Sequence, residues 1–327
     1  MLPLRKDLVP RKGQPPGAAW IWGEEDELGR LNLLTPERIL NAMKEATQGR
    51  IVNLNLPLDQ PSPPMYGRAA FEHRLTQVAP HAFDEVYVVN PQSSSQWDGF
   101  HHFCHVPSGY FYNQVSARDI YKGGPKLGVQ AWATHGIAGR GMLLDFGRYA
   151  QANGLQVKYF DNYKISHQTL VEVAASQGIN LKPESVGGDI RVGDILLVRT
   201  GFLEHESSLS DEEKAKMHLR RHEFTPDDGQ RYIGLEQSEE MLDFLHDSYF
   251  AAVVGDQPGF EAMPSDAGFY LHEHLLALWG CPIGELWDLD ALASCCAANK
   301  KWTFFLASAP NNVRGGVGSM ANAIAIL

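Results

Sequence analysis

The chain has 327 residues, 44% of them hydrophobic, so it can bury a large core in one big domain or two ordinary ones. Its net charge of −11, without a basic stripe, argues against nucleic acid and anionic membranes as partners. The longest apolar runs are too short to span a bilayer.

We expect a single domain over residues 20–327, because no Ser/Gly-rich linker or charge run divides the sequence, and an extended arm over residues 1–19. The start of the chain is basic and rich in proline but lacks the apolar segment of a secretory signal. The four cysteines form no CxxC pair, which favours a reducing compartment. We therefore expect a cytoplasmic protein.

Hydrophobic alternation and turn residues predict an α/β fold. Thr35 and Pro36 open the first helix as its N-cap and first helical residue, and Gly49 ends it. The pattern then predicts, in chain order, strands at residues 51–58, 83–89 and 142–146, a helix at 167–176, a strand at 195–199, a helix at 238–246, a strand at 250–254, a helix at 272–279, a loop at 280–285, a helix at 290–298, a strand at 303–307 and a glycine-rich tail.

Long irregular stretches separate these elements, at residues 59–82, 105–125, 204–232 and 256–270. Loops of that length in a compact domain usually cover or build a site. Two glycine-rich segments do not fit nucleotide-binding motifs: residues 139–141 lack the third glycine of a dinucleotide fingerprint, and residues 315–319 lack the lysine of a P-loop. We expect an α/β domain with a central mixed sheet, flanking helices and long loops that form the site.

The densest group of chemically active residues is a carboxylate and three histidines at residues 98–105. Asp98 and His102 are four apart, so one helical turn, or a tight loop leading into one, could aim both at one point. A carboxylate and an imidazole that converge are suited to zinc, manganese or iron. His101 and His105 are offset from this pair by one position, so we give them structural or rim positions. A chance cluster among the thirteen histidines is the alternative.

Two later segments offer further ligands. His272 opens a predicted helix, and Glu285 lies in a loop between apolar residues. A carboxylate among hydrophobic side chains has a raised pKa unless a cation lies against it, so Glu285 could be a base or a metal ligand. A glutamate that caps a helix or pairs with a surface arginine is the alternative. Glu261 follows a predicted strand at its carboxyl end, where site residues of α/β folds usually lie.

Four blocks of sequence support a family resemblance, and they occur at residues 22–32, 140–145, 193–201 and 316–319. With these blocks and the histidine cluster, the chain resembles the metal-dependent cyclase family, which includes bacterial kynurenine formamidases and isatin hydrolases. Its core motif is His-x-Gly-Thr-His-x-Asp-x-Pro-x-His-Phe. Asp98, His102 and Phe103 match this motif, whereas Gln92 and Gln96 stand at its first two histidines.

The resemblance implies a swivelling β/α fold and a second pair of ligands at His272 and Glu285. It also implies that the first two motif histidines hold one ion in two-metal members. An amide oxygen competes weakly with water for zinc. We therefore expect one divalent ion, zinc or manganese, and at most a weak second one. Its ligands would be Asp98, His102, His272 and Glu285.

The implied function is hydrolysis of a small cyclic amide, an N-acyl amide or a lactone by a metal-activated water. His102, Glu285 or Glu261 would carry the proton to the leaving group. The substrate would lie against Gln96, Trp97, Phe100, Phe103 and His105.

Two alternatives remain open: a cyclase, lyase or isomerase that acts through an enolate, and a non-catalytic binder of small molecules. The glutamine substitutions favour the enolate chemistry slightly, because the loss of one ion weakens hydroxide generation more than enolate stabilisation. The expected partners are a small-molecule substrate and a second copy of the chain, in a homodimer or homotetramer.

Overall fold

The computed structural model describes residues 2–9, 11–220 and 229–327. The strands in these ranges are β1 (Ile51–Asn53), β2 (Glu72–Ala79), β3 (Ala82–Val88), β4 (Gln96–Asp98), β5 (Ile137–Asp145), β6 (Lys164–Ile165), β7 (Ile195–Arg199), β8 (Gly234–Leu235), β9 (Ala252–Gly255), β10 (Ile283–Glu285), β11 (Thr303–Ser308), β12 (Gly318–Met320) and β13 (Ala323–Ile326).

The α-helices in the same ranges are α1 (Pro36–Ala42), α2 (Ala117–Tyr121), α3 (Gln130–His135), α4 (Phe146–Ala152), α5 (His167–Ser176), α6 (Phe202–Ser207), α7 (Asp211–His218), α8 (Glu239–Asp247) and α9 (Asp290–Asn299). A π-helix spans Glu273–Leu278. None of the helices described is long and apolar enough to cross a membrane.

A nine-stranded mixed sheet forms the centre of the described part of the chain, in the order β1-β13-β11-β5-β7-β9-β10-β4-β12. Strands β5, β7, β9 and β10 run parallel, and β11 and β4 continue the sheet on either side in the antiparallel sense. Every residue of β7 is buried, as expected for a strand inside a parallel sheet with both faces covered. The predicted α/β class with a central mixed sheet is confirmed.

Helices flank this sheet, and the sequence predicts most of them, but α4 was not predicted and α1 ends at Ala42, before the predicted end at Gly49. Helix α5 begins and ends at the predicted residues, and the side chain of Ser166 accepts a hydrogen bond from the backbone N–H of Thr169 at its start. Helices α1 and α5 contact β5, α4 contacts β7, and α9 contacts β1. These contacts bury the apolar side chains of both layers.

Two predictions for the last third of the chain are wrong. Residues 280–285 do not form a loop throughout, because residues 283–285 form β10, with β9 on one side and β4 on the other. The predicted glycine-rich tail contains β12 and β13, and β12 pairs with β4 at the edge of the sheet. Short strands with few β-branched residues give a weak sequence signal, and pairing with neighbours stabilises them here.

The predicted strand at residues 83–89 exists as β3, but it does not join the central sheet. It pairs with β2 in a separate two-stranded hairpin. The exposed apolar side chains of this hairpin are Leu75, Val78, Phe83, Val86, Tyr87 and Val88. A lone hairpin is marginally stable in water, and these side chains have no cover within the described part of the chain.

The predicted N-terminal arm contacts its own chain. The side chain of Arg5 pairs with Glu239 and Asp243 of α8, and its backbone N–H donates to Asp247 at 2.7 Å. Further along, the backbone N–H of Ala19 donates to the carbonyl of Leu278 at 2.8 Å. The boundary between arm and domain at residue 19 stays a prediction.

A buried ion cluster joins the end of β7 to the end of β5 and to the start of α9. The guanidinium of Arg199 is 7% exposed and donates to Asp145 at 2.8 Å and to Asp290 at 2.6 Å. Asp145 is itself buried at the end of β5. Without Arg199, the Asp145 carboxylate would lose its buried counterion.

We predict that Arg199→Met lowers the free energy of unfolding by about 3–5 kcal/mol, the usual cost of one partner lost from a buried pair. The matched control is Arg148→Met, because Arg148 pairs with the same Asp145 carboxylate but is 49% exposed. That control should cost no more than about 1 kcal/mol. Urea denaturation followed by circular dichroism measures both, and equal losses would contradict this account.

Candidate metal centre

Asp98 ends strand β4, and the pairing of that strand decides which residues surround it. Gln96 lies opposite Glu285 of β10, and Asp98 lies opposite Ile283. Side chains alternate along a strand, so Gln96 and Asp98 share one face and Trp97 points to the other. Gln96, Asp98 and Glu285 are each no more than 2% exposed. The pairing therefore buries two carboxylates on one face of the sheet, one and two strands in from its β12 edge.

His102 and His272 complete the group around Asp98. Their Nε2 atoms lie 3.8 Å from Asp98 Oδ1 and Oδ2, respectively. One ligand atom from each of the three residues falls within 4.8 Å of the others. His102 lies in a turn after β4, in which its N–H donates to the carbonyl of Gly99 at 2.9 Å, and not on a helix. His272 immediately precedes the π-helix.

The three residues fit a divalent metal ion. Asp98 Oδ2 is buried and accepts no hydrogen bond from the described residues. A buried carboxylate oxygen without a partner is costly, and a cation in contact with it would remove that cost. One carboxylate and two imidazoles are a ligand set that zinc, manganese and iron accept.

Glu261 lies behind His272. Its Oε2 is 2.6 Å from His272 Nδ1, and its Oε1 accepts the backbone N–H of His272 at 3.2 Å. This contact keeps a proton on Nδ1, so Nε2 is the nitrogen that could bind an ion once it has lost its own proton. Glu261 thus orients a ligand, whereas the sequence analysis gave it a proton-carrying role at the site.

Glu285 lies beside the ligand group without being one of the three clustered residues. Its Oε1 is 3.1 Å from His272 Nε2 and accepts the N–H of Phe260 at 3.0 Å, and its Oε2 accepts from Gln96 Nε2 at 2.7 Å. Burial, together with the negative charge of Asp98, raises the pKa of Glu285 to about 7. Its role as a fourth ligand stays a prediction.

Gln92 and Gln96 turn their amide nitrogens towards the carboxylates. Gln92 Nε2 donates to Asp98 Oδ1 and lies 2.9 Å from His102 Nδ1. Amide N–H groups are donors and do not ligate metals, so neither glutamine offers the cluster a ligand atom in this arrangement. Gly318 allows the close approach of Gln92, because a Cβ at residue 318 would lie 2.9 Å from Gln92 Cγ.

Two predicted substrate contacts lie in the hydrophobic core instead. Trp97 is fully buried on the opposite face of β4, where its indole N–H donates to Ser308 Oγ at 2.9 Å. Phe100 is also fully buried, with its ring centroid 4.8 Å from that of Tyr112. Placing them at the site was wrong because neighbours of a ligand in the sequence point away from it on a strand or tight turn.

The remaining predicted contacts separate into two groups. Phe103 lines the cluster, with its ring centroid 5.5 Å from that of His272. His105 instead bonds Ser108 Oγ at 2.9 Å within its own loop. His101 Nε2 contacts the carbonyl of Lys126 at 2.7 Å, a structural position like the one expected.

Arg68 is a site residue that the sequence analysis missed. Its Nη1 donates to the backbone carbonyl of Gln92 and, at 3.3 Å, to Gln96 Oε1. Its guanidinium carbon lies 5.2 Å from the ring centroid of Tyr66. The only available signal was the length of the irregular stretch 59–82, which indicated a site-building loop without indicating a residue.

The pKa values of the three clustered residues are not all shifted in the same direction. Burial alone would raise the pKa of Asp98, but the neighbouring His102 and His272 outweigh it and hold that pKa below its ordinary value. Burial lowers the pKa of His102. Burial also acts to lower the pKa of His272, but Glu261, Asp98 and Glu285 outweigh it and raise that pKa well above its ordinary value.

The comparisons with known proteins place the chain in a family. The family model Cyclase, described as "Putative cyclase", matches residues 52–262. The chain therefore belongs to the cyclase family. A sequence search of curated proteins gives no significant match.

Solved structures agree with that assignment. A crystal structure described as a novel cyclase has a TM-score of 0.80 and 28% identity, covering 95% of this chain and 99% of that one. Isatin hydrolase A from Ralstonia solanacearum has a TM-score of 0.59 and 17% identity, covering 89% and 97%. Isatin hydrolase A from Labrenzia aggregata, bound to benzyl benzoate, has a TM-score of 0.55 and 18% identity, covering 88% and 98%.

The two isatin hydrolases show a shared fold. The family and the Asp98, His102 and His272 cluster together support an enzyme of the metal-dependent hydrolase or cyclase type.

We predict that Asp98→Ala abolishes metal binding, because it removes the only carboxylate in the three-residue cluster. The control is Asp84→Ala, which removes an exposed carboxylate from the hairpin. Elemental analysis after dialysis against zinc or manganese measures the metal content. Equal metal in the wild type and in Asp98→Ala would contradict the assignment.

We also predict that metal binding releases about one proton or more per ion at pH 7. The pKa of metal-free His272 is well above its ordinary value, so the ring is cationic at pH 7 and must lose its Nε2 proton to become a ligand. Metal affinity should therefore fall as the pH is lowered. Calorimetry in two buffers of different ionisation enthalpy counts the protons, and no release at pH 7 would be inconsistent with His272 as a ligand.

Proposed function

We propose that the protein is a metal-dependent hydrolase that opens a small cyclic amide, an N-acyl amide or a lactone. The observation that carries the proposal is the position of Glu285, a buried carboxyl group whose Oε1 lies 3.1 Å from Nε2 of His272. A carboxylate held beside the proposed ion site is placed to accept a proton and to return it. The isatin hydrolases, which share the fold, add support for ring opening.

A divalent ion held by Asp98, His102 and His272 would supply an acidified water and a Lewis acid for a carbonyl oxygen. His272 would hold the ion through a deprotonated Nε2 and would then no longer donate to Glu285 Oε1. That oxygen would still accept the N–H of Phe260, and its other lone pair could accept a proton from the attacking water and deliver it to the leaving nitrogen or oxygen. Gln96 keeps Oε2 of the same carboxylate in place through its hydrogen bond of 2.7 Å.

The other catalytic candidates take different roles in this proposal. His102 would be a metal ligand, so it would not transfer a proton to or from the substrate. Glu261 keeps His272 oriented and is a positioning residue. Phe103 and Tyr270, with ring centroids 5.5 Å apart, form an aromatic wall that suits a small aromatic or apolar substrate.

An enolate-forming lyase or isomerase would use the same residues. Glu285 would then remove a proton from a carbon next to the substrate carbonyl, instead of from water. The two reactions differ in whether an oxygen atom from water enters the product. Turnover of a panel of lactones, cyclic amides and N-acyl amides in ¹⁸O-labelled water separates the two reactions. The hydrolase proposal predicts one labelled oxygen in the product acid. An unlabelled product would support the lyase or isomerase alternative.

We predict that Glu285→Gln lowers turnover by a factor on the order of 10² or more at saturating metal, because it keeps the shape of the side chain but cannot accept a proton. Glu261→Gln should instead weaken metal binding by about 10- to 100-fold and regain most of its activity in excess metal. Glu212→Gln, on the exposed start of α7, is the control. Full activity of Glu285→Gln would show that this group is not the base.

We also propose that the enzyme is cytoplasmic and forms a homodimer or homotetramer. The four cysteines are free, as expected in a reducing compartment. The uncovered apolar side chains of the β2–β3 hairpin support self-association. Light scattering on purified protein tests the oligomeric state, and a monomer at micromolar concentration would contradict it.

A further inference from the structure

Among the described residues, the Arg68 guanidinium forms hydrogen bonds through one nitrogen only. Nη1 makes both of its hydrogen bonds, to Gln92 and Gln96. An arginine side chain has five N–H donors. Within residues 2–9, 11–220 and 229–327, Nε and Nη2 make no hydrogen bond, and no carboxylate lies within ion-pair distance of the guanidinium. Arg68 therefore presents unused, charged donors beside the metal centre.

The contacts that Arg68 does make fix its position. Nη1 is tied to a backbone carbonyl and to a fully buried amide, and the guanidinium lies against the ring of Tyr66. A guanidinium that is already ordered loses little conformational entropy when it binds a ligand. The residue is partly exposed, unlike Gln96 and Glu285 behind it. A ligand can thus reach the free donors from the solvent side.

The buried carboxylates beside Arg68 favour a cation at this place. Asp98, Glu261 and Glu285 bring three buried carboxylates together. A divalent ion offsets two of these charges, and Arg68 offsets the third. Arg68 acts on the cluster itself, because its charge lowers the pKa of both Asp98 and Glu285 although burial is the largest influence on each. Without Arg68 the loaded site would carry a net negative charge and would repel an anion.

We propose that Nε and Nη2 of Arg68 form an anion subsite that binds a carboxylate group of the substrate or of the ring-opened product. A planar guanidinium edge matches the two oxygens of a carboxylate in a bidentate pair. The inference rests on the proposed function, since it places this subsite next to the same metal centre. A substrate that carries a carboxylate besides the bond to be opened would bind here before the reaction, and otherwise the carboxylate formed on opening would bind here in the product.

Binding measurements test this subsite without any turnover. The probe is benzoate, with benzamide as its neutral counterpart, titrated by calorimetry into the metal-loaded protein. The wild type should bind benzoate about 10-fold or more tightly than Arg68→Met, the scale of a lost charged hydrogen-bonding pair. Arg68→Lys should lie between them, because it keeps the charge and loses the planar pair of donors. Benzamide affinity should not change among the three proteins.

Two control variants isolate the contribution of Arg68 to benzoate binding. Arg74→Met, on the exposed hairpin, should bind benzoate like the wild type. The second control starts from Asp98→Ala, which lacks the proposed metal ligand. The double variant with Asp98→Ala and Arg68→Met should bind benzoate more weakly than Asp98→Ala alone. Equal metal content and melting temperature in Arg68→Lys and the wild type confirm that the site is intact.

Equal benzoate affinity in the wild type, Arg68→Lys and Arg68→Met would overturn the proposal. So would benzoate binding that depends on the metal and not on residue 68. Failure of the hydrolase proposal would give a different result. The protein would not turn over the amide and lactone panel, but the wild type would still bind benzoate more tightly than Arg68→Met.

Discussion

The site depends on one constraint, the burial of the Asp98 carboxylate with an oxygen that no donor among the described residues reaches. Strand β4 creates this condition, because β10 on one side and β12 on the other exclude water from its end. Gln92 satisfies Oδ1 only. A divalent ion between Asp98 and the two histidines is the simplest way to stabilise Oδ2, and the features around it follow from that need.

The residues that contact the proposed ligands and Glu285 are also arranged around the buried Asp98 carboxylate. Glu261 fixes the tautomer of His272, and Gln96 fixes the carboxylate of Glu285. An amide suits the position of Gln96 because it accepts from the Arg68 guanidinium with its oxygen and donates to a carboxylate with its nitrogen. The hydrogen bonds thus run in one direction from Arg68 through Gln96 to Glu285. Two neutral glutamines and one fixed guanidinium surround the proposed single-ion site.

Much of the fold was predictable from the sequence, and the failures have physical causes. Helix α5 and strand β7 have strong local signals, a serine cap and an unbroken apolar run, and both match the prediction. Strands β10 and β12 are three residues long and are stabilised mainly by neighbours distant in the sequence. Local pattern cannot show such pairing, so these segments were predicted as loop and tail.

The candidate site, like the fold, was predicted from the sequence only in part. The spacing of Asp98 and His102 indicated their convergence, although a strand end and a turn bring them together, not a helix. The start of a predicted helix, and then the family resemblance, indicated His272, which the structure places beside them. Arg68 carried no motif, because its position depends on the path of a long loop. Trp97 was assigned to the site by proximity in sequence, and the alternation of a strand turns it into the core.

The most direct test of this account is a crystal structure of the zinc-loaded protein with anomalous data collected at the zinc edge. We expect one strong anomalous peak about 2.0–2.2 Å from an Asp98 oxygen and from Nε2 of His102 and His272. A peak at another place, or two peaks of equal height with Gln92 and Gln96 as ligands of the second, would contradict a single-ion centre built on Asp98.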